Sequence, residues 1–198
     1  MVNRQQEVRD RIYQFFLGTM QFLVHMLTKI GFTPNLVTLL AVGINIFAAA
    51  LITQHALIAA GIAWFIAGIL DLLDGLMARS LNKATSYGTF LDSTMDRLSD
   101  GIVFSAIIYL FALSDDPVMA ALTALALLGS LMTSYARARA ESLGVACKGG
   151  WGSRFERVLL IGAGLLLNIL PIAIIILCAL GFITVVQRML ETKRALDC

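Results

Sequence analysis

The sequence predicts an all-α integral membrane protein: six membrane-spanning helices preceded by an N-terminal amphipathic helix lying along the membrane surface. Three observations predict it. The chain of 198 residues is 59% apolar and only 14% charged, which is not the balance of a soluble domain. Several apolar runs approach the roughly 20 residues needed to cross a bilayer. The basic residues gather on one side of the path those runs imply. No period suggests a repeat, and no low-complexity linker divides the chain. Residues 1–198 read as a single membrane-embedded domain, with 1–31 a juxtamembrane segment and 32–190 the six-span core.

Taken in order, Val8 to Ile30 is mixed sequence. Ile12, Phe16, Leu23, Leu27 and Ile30 fall near one helical face, with Arg9, Arg11, Gln14, Gln21 and Lys29 interspersed. That is the pattern of an interfacial helix. The polar start, Met1 to Glu7, argues against a cleaved signal peptide. Gly31 to Asn35 breaks the helix, and Thr33 with Pro34 reads as the start of the next.

Span one runs from Asn35 to Thr53, and Gln54-His55 turns the chain. Span two runs from Ala56 to Leu81 and carries Asp71, Asp74 and Arg79 at its far end. A polar link, Asn82 to Ser86, leads to span three, Tyr87 to Leu113, whose first third holds Asp92, Asp96, Arg97 and Asp100. Ser114 to Pro117 is a turn. Span four runs from Val118 to Tyr135 and continues as a polar helical end through Glu141, and Cys147 to Arg154 is a loop. Val158 to Val186 is too long for one span and short for two, so it reads as a tight helical hairpin turning near Asn168 to Pro171.

Charge decides that last assignment. With six spans, all fifteen Lys and Arg residues lie on one side. The other side has Gln54-His55, Ser114-Asp115-Asp116 and Asn168, with no basic residue. Five spans would place Arg188, Lys193 and Arg194 outside. The positive-inside rule therefore predicts six spans, with both termini and the acidic stretch described next on the cytoplasmic side of a multi-pass cell-membrane protein.

Four carboxylates stand out in this apolar setting. Asp71 and Asp74 are three residues apart, and Asp92 and Asp96 are four apart. Either spacing puts two side chains on one helical face, about 5–6 Å apart between Cβ atoms. Span three would be about 40 Å long as one helix, and its apolar part covers only about half a bilayer. Asp92 and Asp96 therefore lie at the cytoplasmic edge of the membrane, level with Asp71 and Asp74. Four like charges in a poorly hydrated place repel each other unless a cation joins them. Every candidate ligand is an oxygen, so Mg²⁺ is the natural ion, with Mn²⁺ as the other choice. Gly75 and Gly88 leave bare backbone beside the carboxylates, where another group can come close.

Two plainer readings compete. Helix-end aspartates facing water explain one or two acids but not four at helical spacing, and ionisable residues at membrane depth are usually functional. A divalent-cation carrier would need ionisable groups across the bilayer, and all the charge here is at one face. The third reading is chemistry on a charged lipid.

Asp71-x2-Asp74-Gly75-x2-Ala78-Arg79-x8-Gly88-x3-Asp92-x3-Asp96 matches the signature of the CDP-alcohol phosphotransferases, and the length and six-span layout resemble that family over most of the chain. The resemblance implies a CDP-linked lipid donor, two bound divalent ions, transfer of a phosphoalcohol unit to an acceptor, and release of CMP. It implies Asp71, Asp74, Asp92 and Asp96 as metal ligands, with Asp96 also the catalytic base. It places Gly75, Ala78, Arg79 and Gly88 beside the cytidine and diphosphate. Thr33 to Thr38 is similar to the segment by which close relatives hold the CDP-lipid, which adds Asn35 and Thr38, and Thr85 lies where they place another donor contact. A homodimer is implied as well, with membrane lipids as surroundings and no nucleic-acid partner.

Within the family, Asp92 to Gly101 and Ser134 to Gly144 resemble the phosphatidylinositol-phosphate synthases and their archaeal ether-lipid counterparts. That implies inositol 1-phosphate, a small phosphorylated alcohol, as acceptor, with glycerol 3-phosphate as the alternative. Arg137, Arg139, Arg154 and Arg157 would form a pocket for the acceptor phosphate. From charge alone they could equally anchor loops at an anionic surface. Phe155 departs from that group, which often has Pro there. Cys147, Cys178 and Cys198 read as unrelated thiols. His25 and His55 read as bystanders, and Trp64 and Trp151 as lipid-facing or interfacial side chains.

Overall fold

A computed structural model describes residues 18–81, 83–147 and 154–197. Within them the chain is helical throughout. The first helix, α1, covers residues 18–29. It is followed by α2 (Pro34–Thr53), α3 (Leu57–Ser80), α4 (Ser86–Leu113), α5 (Pro117–Ser142), α6 (Arg154–Leu166) and α7 (Leu170–Leu196). These bounds agree with the expected spans to within a few residues, α5 including its expected polar end, except that α6 starts four residues earlier, at Arg154, and α7 runs on through the polar stretch to Leu196. Ile12, Phe16, Trp151 and Cys198 lie outside the described residues.

Local chemistry starts and stops the helices. Thr33, Thr85 and Asp116 cap α2, α4 and α5, each accepting a backbone N–H three residues on. Pro34, Pro117 and Pro171 occupy first-turn positions, where a missing N–H costs nothing. The three tight turns expected from polar residues each contain one left-handed residue: His55 (φ 59°), Asp115 (φ 54°) and Asn168 (φ 56°). Asn, Asp and His are the side chains that tolerate that region best. Gly31, at φ 88°, ends the first helix just past Ile30. Ile30 is therefore exposed, while Leu23 and Leu27 pack with the buried Met20 and Val24 against Val37, Leu73 and Met77.

The six long helices close into a ring. Close backbone approaches run α2–α3, α3–α6, α6–α7, α7–α5, α5–α4 and α4–α2, and among the described residues only side chains meet across the ring. Phe104, Ile107, Ile161, Leu165 and Ile174 fill the centre and are fully buried. Small residues set the close approaches. A Cβ on Gly129 would meet the backbone of Gly181 at 3.3 Å, so α5 and α7 touch almost backbone to backbone. A Cβ on Gly162 would overlap the Phe65 ring at 2.4 Å, which ties α6 to α3. The outward faces stay apolar, as with Ile58, Ile62, Ile66 and Ile69 on α3. Helices that are apolar on both faces belong in a bilayer.

Among the described residues four helices, α2, α3, α5 and α7, are long and apolar enough to cross a membrane. The acidic stretch keeps α4 out of that group, and α6 has only 13 residues. Trp64 corrects an expectation. It is 3% exposed and donates from Nε1 to the carbonyl of Val158 at 2.9 Å. An indole N–H inside an apolar bundle needs an acceptor, and the first turns of α6 supply one. Cys147 is buried after α5 and donates to Glu191 Oε2 at 3.5 Å. Burial, with Glu191 beside it, pushes that thiol's pKa up.

Candidate active site

Packing on one side of α3 aims its acids the other way. Leu73 and Met77 are one turn apart and buried against α1 and α2. Asp71, Asp74, Gly75 and Ala78 then share the opposite face, because each residue advances the helix by about 100°. On α4 the inward stripe is Gly88, Asp92, Asp96 and Asp100, one residue per turn. The backbones of α3 and α4 do not touch, since α2 stands between them in the ring. Their acidic side chains bridge the gap. Asp71, Asp74 and Asp92 each offer an oxygen, and these oxygens lie within 4.8 Å of one another.

This group suits a hard divalent cation. It presents three carboxylate oxygens from two helices and no sulfur or imidazole. Thr38 holds one of them in place: its hydroxyl donates to Asp74 Oδ2 at 2.6 Å, in a buried contact. Asp96 stands to one side. The Arg154 guanidinium, at the start of α6, ion-pairs with both Asp71 and Asp96.

Two cavities open on either flank. The first, about 240 Å³, is lined by Asn35, Thr38, Asp74, Gly75, Ala78, Arg79, Thr85, Gly88 and Asp92. The structure thus brings together, beside two of the carboxylates, every residue expected to touch the donor. A Cβ on Gly75 would meet nothing closer than Arg79 Nη2 at 3.8 Å. No protein atom requires glycine there, so the bare backbone faces open cavity. Gly88 differs, because its Cβ would press on Thr85 Oγ1 at 3.1 Å. Lys83, which the sequence places only in a polar link, also lines this cavity. Its signal was a cation between the two halves of the acidic stretch.

The second cavity, about 170 Å³, is lined by Asp96, Arg97, Thr133, Ser134, Arg137, Arg154, Arg157 and Arg188. That is room for about five or six waters, at roughly 30 Å³ each. Three of the four expected arginines are here. Arg139 is not: two residues from Arg137, it points about 200° away around α5 and donates to Ser142 at the surface. Arg188 replaces it. It reaches in from α7, 7% exposed, and donates to the carbonyl of Thr133. Sequence reasoning took it for a topological charge. The available signal was its place ahead of Lys193 and Arg194, at the edge of the apolar run.

Arg157 is held from behind. Its Nε lies 3.2 Å from Asp100 Oδ2, which also accepts from Ser130 Oγ at 3.0 Å. Asp100 and Arg157 are both buried, at 2% and 6% exposed. Arg137 is on the outer lip, exposed and paired with Glu141 at 2.8 Å. Phe155 is exposed in the first turn of α6, a position that proline also suits, so the departure there leaves the helix start intact.

Comparison with known proteins places this geometry. A family model described as CDP-alcohol phosphatidyltransferase matches residues 32–187. An archaetidylinositol phosphate synthase from Methanothermobacter thermautotrophicus is 47% identical over 146 residues, 71% of this chain and 69% of that protein. One from Pyrococcus horikoshii is 37% identical, covering 86% of this chain and 89% of its own. The crystal structure of Mycobacterium tuberculosis phosphatidylinositol phosphate synthase with CDP-DAG bound superposes with a TM-score of 0.81 at 30% identity, covering 87% of this chain and 92% of that one. The same protein has also been solved in complex with manganese and citrate.

Proposed function

We infer the activity from one premise: the chain belongs to the CDP-alcohol phosphatidyltransferase family. It is a membrane-embedded transferase of phospholipid biosynthesis. It moves a phosphatidyl-type group from a CDP-lipid to inositol 1-phosphate and releases CMP. One observation carries the choice of acceptor. The carboxylate group lies between two cavities, one holding the donor signature and one lined by Arg137, Arg154, Arg157 and Arg188 beside Asp96. A cavity so rich in guanidinium groups suits an acceptor with its own phosphate. The relatives named above are inositol phosphate synthases.

Asp71, Asp74 and Asp92, with Asp96 beside them, would hold Mg²⁺, two ions by the family pattern, with Mn²⁺ as substitute. When bound, the metal supplies charge stabilisation for the diphosphate and for the departing CMP. The chain's own groups do the rest. Asn35, Thr38, Gly75, Ala78, Arg79, Thr85 and Gly88 receive the nucleotide and diphosphate, and Arg79 offers a forked donor to a phosphate. The arginines of the second cavity fix the acceptor phosphate and so orient its hydroxyl. The hydroxyl oxygen bonds to the lipid-bearing phosphorus as the bond to CMP breaks, and its proton passes to the Asp96 carboxylate. Transfer at phosphorus is chiefly a matter of such positioning.

All six helices of the ring are proposed to cross the membrane, behind an α1 that lies at the surface. In α6, 13 residues span only about 20 Å, so Arg154 sits at membrane depth, level with the acids. The positive-inside rule puts the active site and both termini in the cytoplasm. A homodimer is the assembly the family resemblance implies. A cysteine introduced at His55 should react with an impermeant reagent from outside, and one at Lys83 should not.

The deciding experiment is an acceptor screen on the purified protein in Mg²⁺, with radiolabelled CDP-diacylglycerol and its ether analogue as donors. Inositol 1-phosphate should drive CMP release, and free inositol should be poor because it offers the arginines no anion. Preference for glycerol 3-phosphate would reject the acceptor assignment.

A further inference from the structure

The carboxylate group and the arginine-lined cavity share one side chain. Arg154 pairs with Asp71, which belongs to the metal-binding group, and with Asp96, which lies in the second cavity. It does so from α6, a helix whose backbone contacts α3 and α7 but not α4. Its side chain is 21% exposed, so water screens its charge weakly. A cation bound to Asp71, Asp74 and Asp92 would lie within a few ångströms of this guanidinium. Like charges that close disfavour one another by amounts that shift equilibria tenfold or more. Arg154 and a divalent cation therefore compete for the same negative charge.

The competition has a direction. Arg97, Arg137, Arg157 and Arg188 border the same cavity as Arg154, on the side away from Asp71, Asp74 and Asp92. A guanidinium released by Asp71 moves toward four more of its own charge, which is unfavourable until an anion arrives there. Resting on the reading that this cavity takes the acceptor phosphate, we propose that Arg154 couples the two sites. Without a divalent cation it neutralises Asp71 and Asp96. Cation binding releases it to the phosphate of the acceptor and frees Asp96 to face the acceptor hydroxyl. Thermodynamic linkage then requires each ligand to strengthen the other by the same factor. The enzyme thereby assembles its acceptor site only when the cation is in place.

Mn²⁺ binding to the purified protein in detergent micelles, followed by the EPR signal of free Mn²⁺, tests this apart from turnover. With no acceptor present, Arg154→Gln should bind Mn²⁺ roughly five- to hundredfold tighter than the unmodified protein, the usual range of site coupling. Arg154→Lys, which keeps a cation, should stay near the unmodified value. Saturating inositol 1-phosphate, or inorganic phosphate as the bare anion, should tighten Mn²⁺ binding by the unmodified protein and leave Arg154→Gln unchanged. Equal or weaker Mn²⁺ binding by Arg154→Gln overturns the proposal, whatever the acceptor is. Should that variant not fold, the unmodified protein decides alone: Mn²⁺ affinity that phosphate does not raise also overturns it. Failure of the acceptor assignment looks different. Arg154→Gln would still bind Mn²⁺ more tightly, while inositol 1-phosphate released no CMP.

Discussion

Three aspartates on successive turns of α4 have three different surroundings. Asp92 faces the first cavity and joins the oxygens of Asp71 and Asp74. Asp96, one turn on, faces the arginine-lined cavity and pairs with Arg154. Asp100, a further turn on, is buried between Arg157 and Ser130. The residue type and the spacing are the same for all three, so neither assigns a role. What differs is the company each one keeps: two further carboxylates, an arginine at a cavity wall, or an arginine buried in the core. The first cavity sets Asp74 and Asp92 beside Gly75, Ala78 and Gly88. The second cavity surrounds Asp96 with guanidinium groups.

The largest expected effect separates Asp96 from its neighbours. Asp96→Asn should lower turnover by about 10²- to 10⁴-fold, the usual contribution of a general base, while CDP-lipid still binds in Mg²⁺. Near-normal turnover in that variant would make Asp96 no different from a structural acid.

Asp100 should fail in the opposite way. Asp100→Asn leaves the buried Arg157 short of its carboxylate, and breaking a buried ion pair from one side costs about 3–5 kcal/mol. A lowered unfolding midpoint in detergent is the measurement. A variant of unchanged stability and no activity would move Asp100 from the scaffold into the chemistry.

The two cavities should separate kinetically. Arg137→Ala removes one charge-assisted hydrogen bond, worth roughly 1.5–3 kcal/mol, so the acceptor KM should rise about ten- to hundredfold and the donor KM little. Equal effects on both would mean that the second cavity does not hold the acceptor.

The smallest effect belongs to the donor wall. A methyl at Gly75 meets no protein atom nearer than 3.8 Å, so Gly75→Ala should keep its stability. It should raise the donor KM by roughly fivefold, about 1 kcal/mol of crowding against the nucleotide. A destabilised protein with an unchanged donor KM would show that the glycine serves packing instead.

Much of this was legible in the chain alone. Thr33-Pro34, Asp116-Pro117 and the turn at Asn168 mark helix ends through contacts a few residues long, and such contacts are written in adjacent letters. The acids Asp71, Asp74, Asp92 and Asp96 were legible because helical spacing and an apolar setting make their company conspicuous. What only the tertiary structure decided is which distant side chains share a space. Arg188 enters the second cavity beside Arg137, and Arg139 faces the other way, because α5 and α7 meet at Gly129 and Gly181 and fix which face of each helix turns inward. Trp64 is buried rather than lipid-facing because α6 brings it a carbonyl. Arg154 meets Asp71 and Asp96 because α6 packs against α3 and its first side chain reaches across the ring to α4. Periodicity states that a helix has faces, but the partner of each face is chosen by how six helices close around one core.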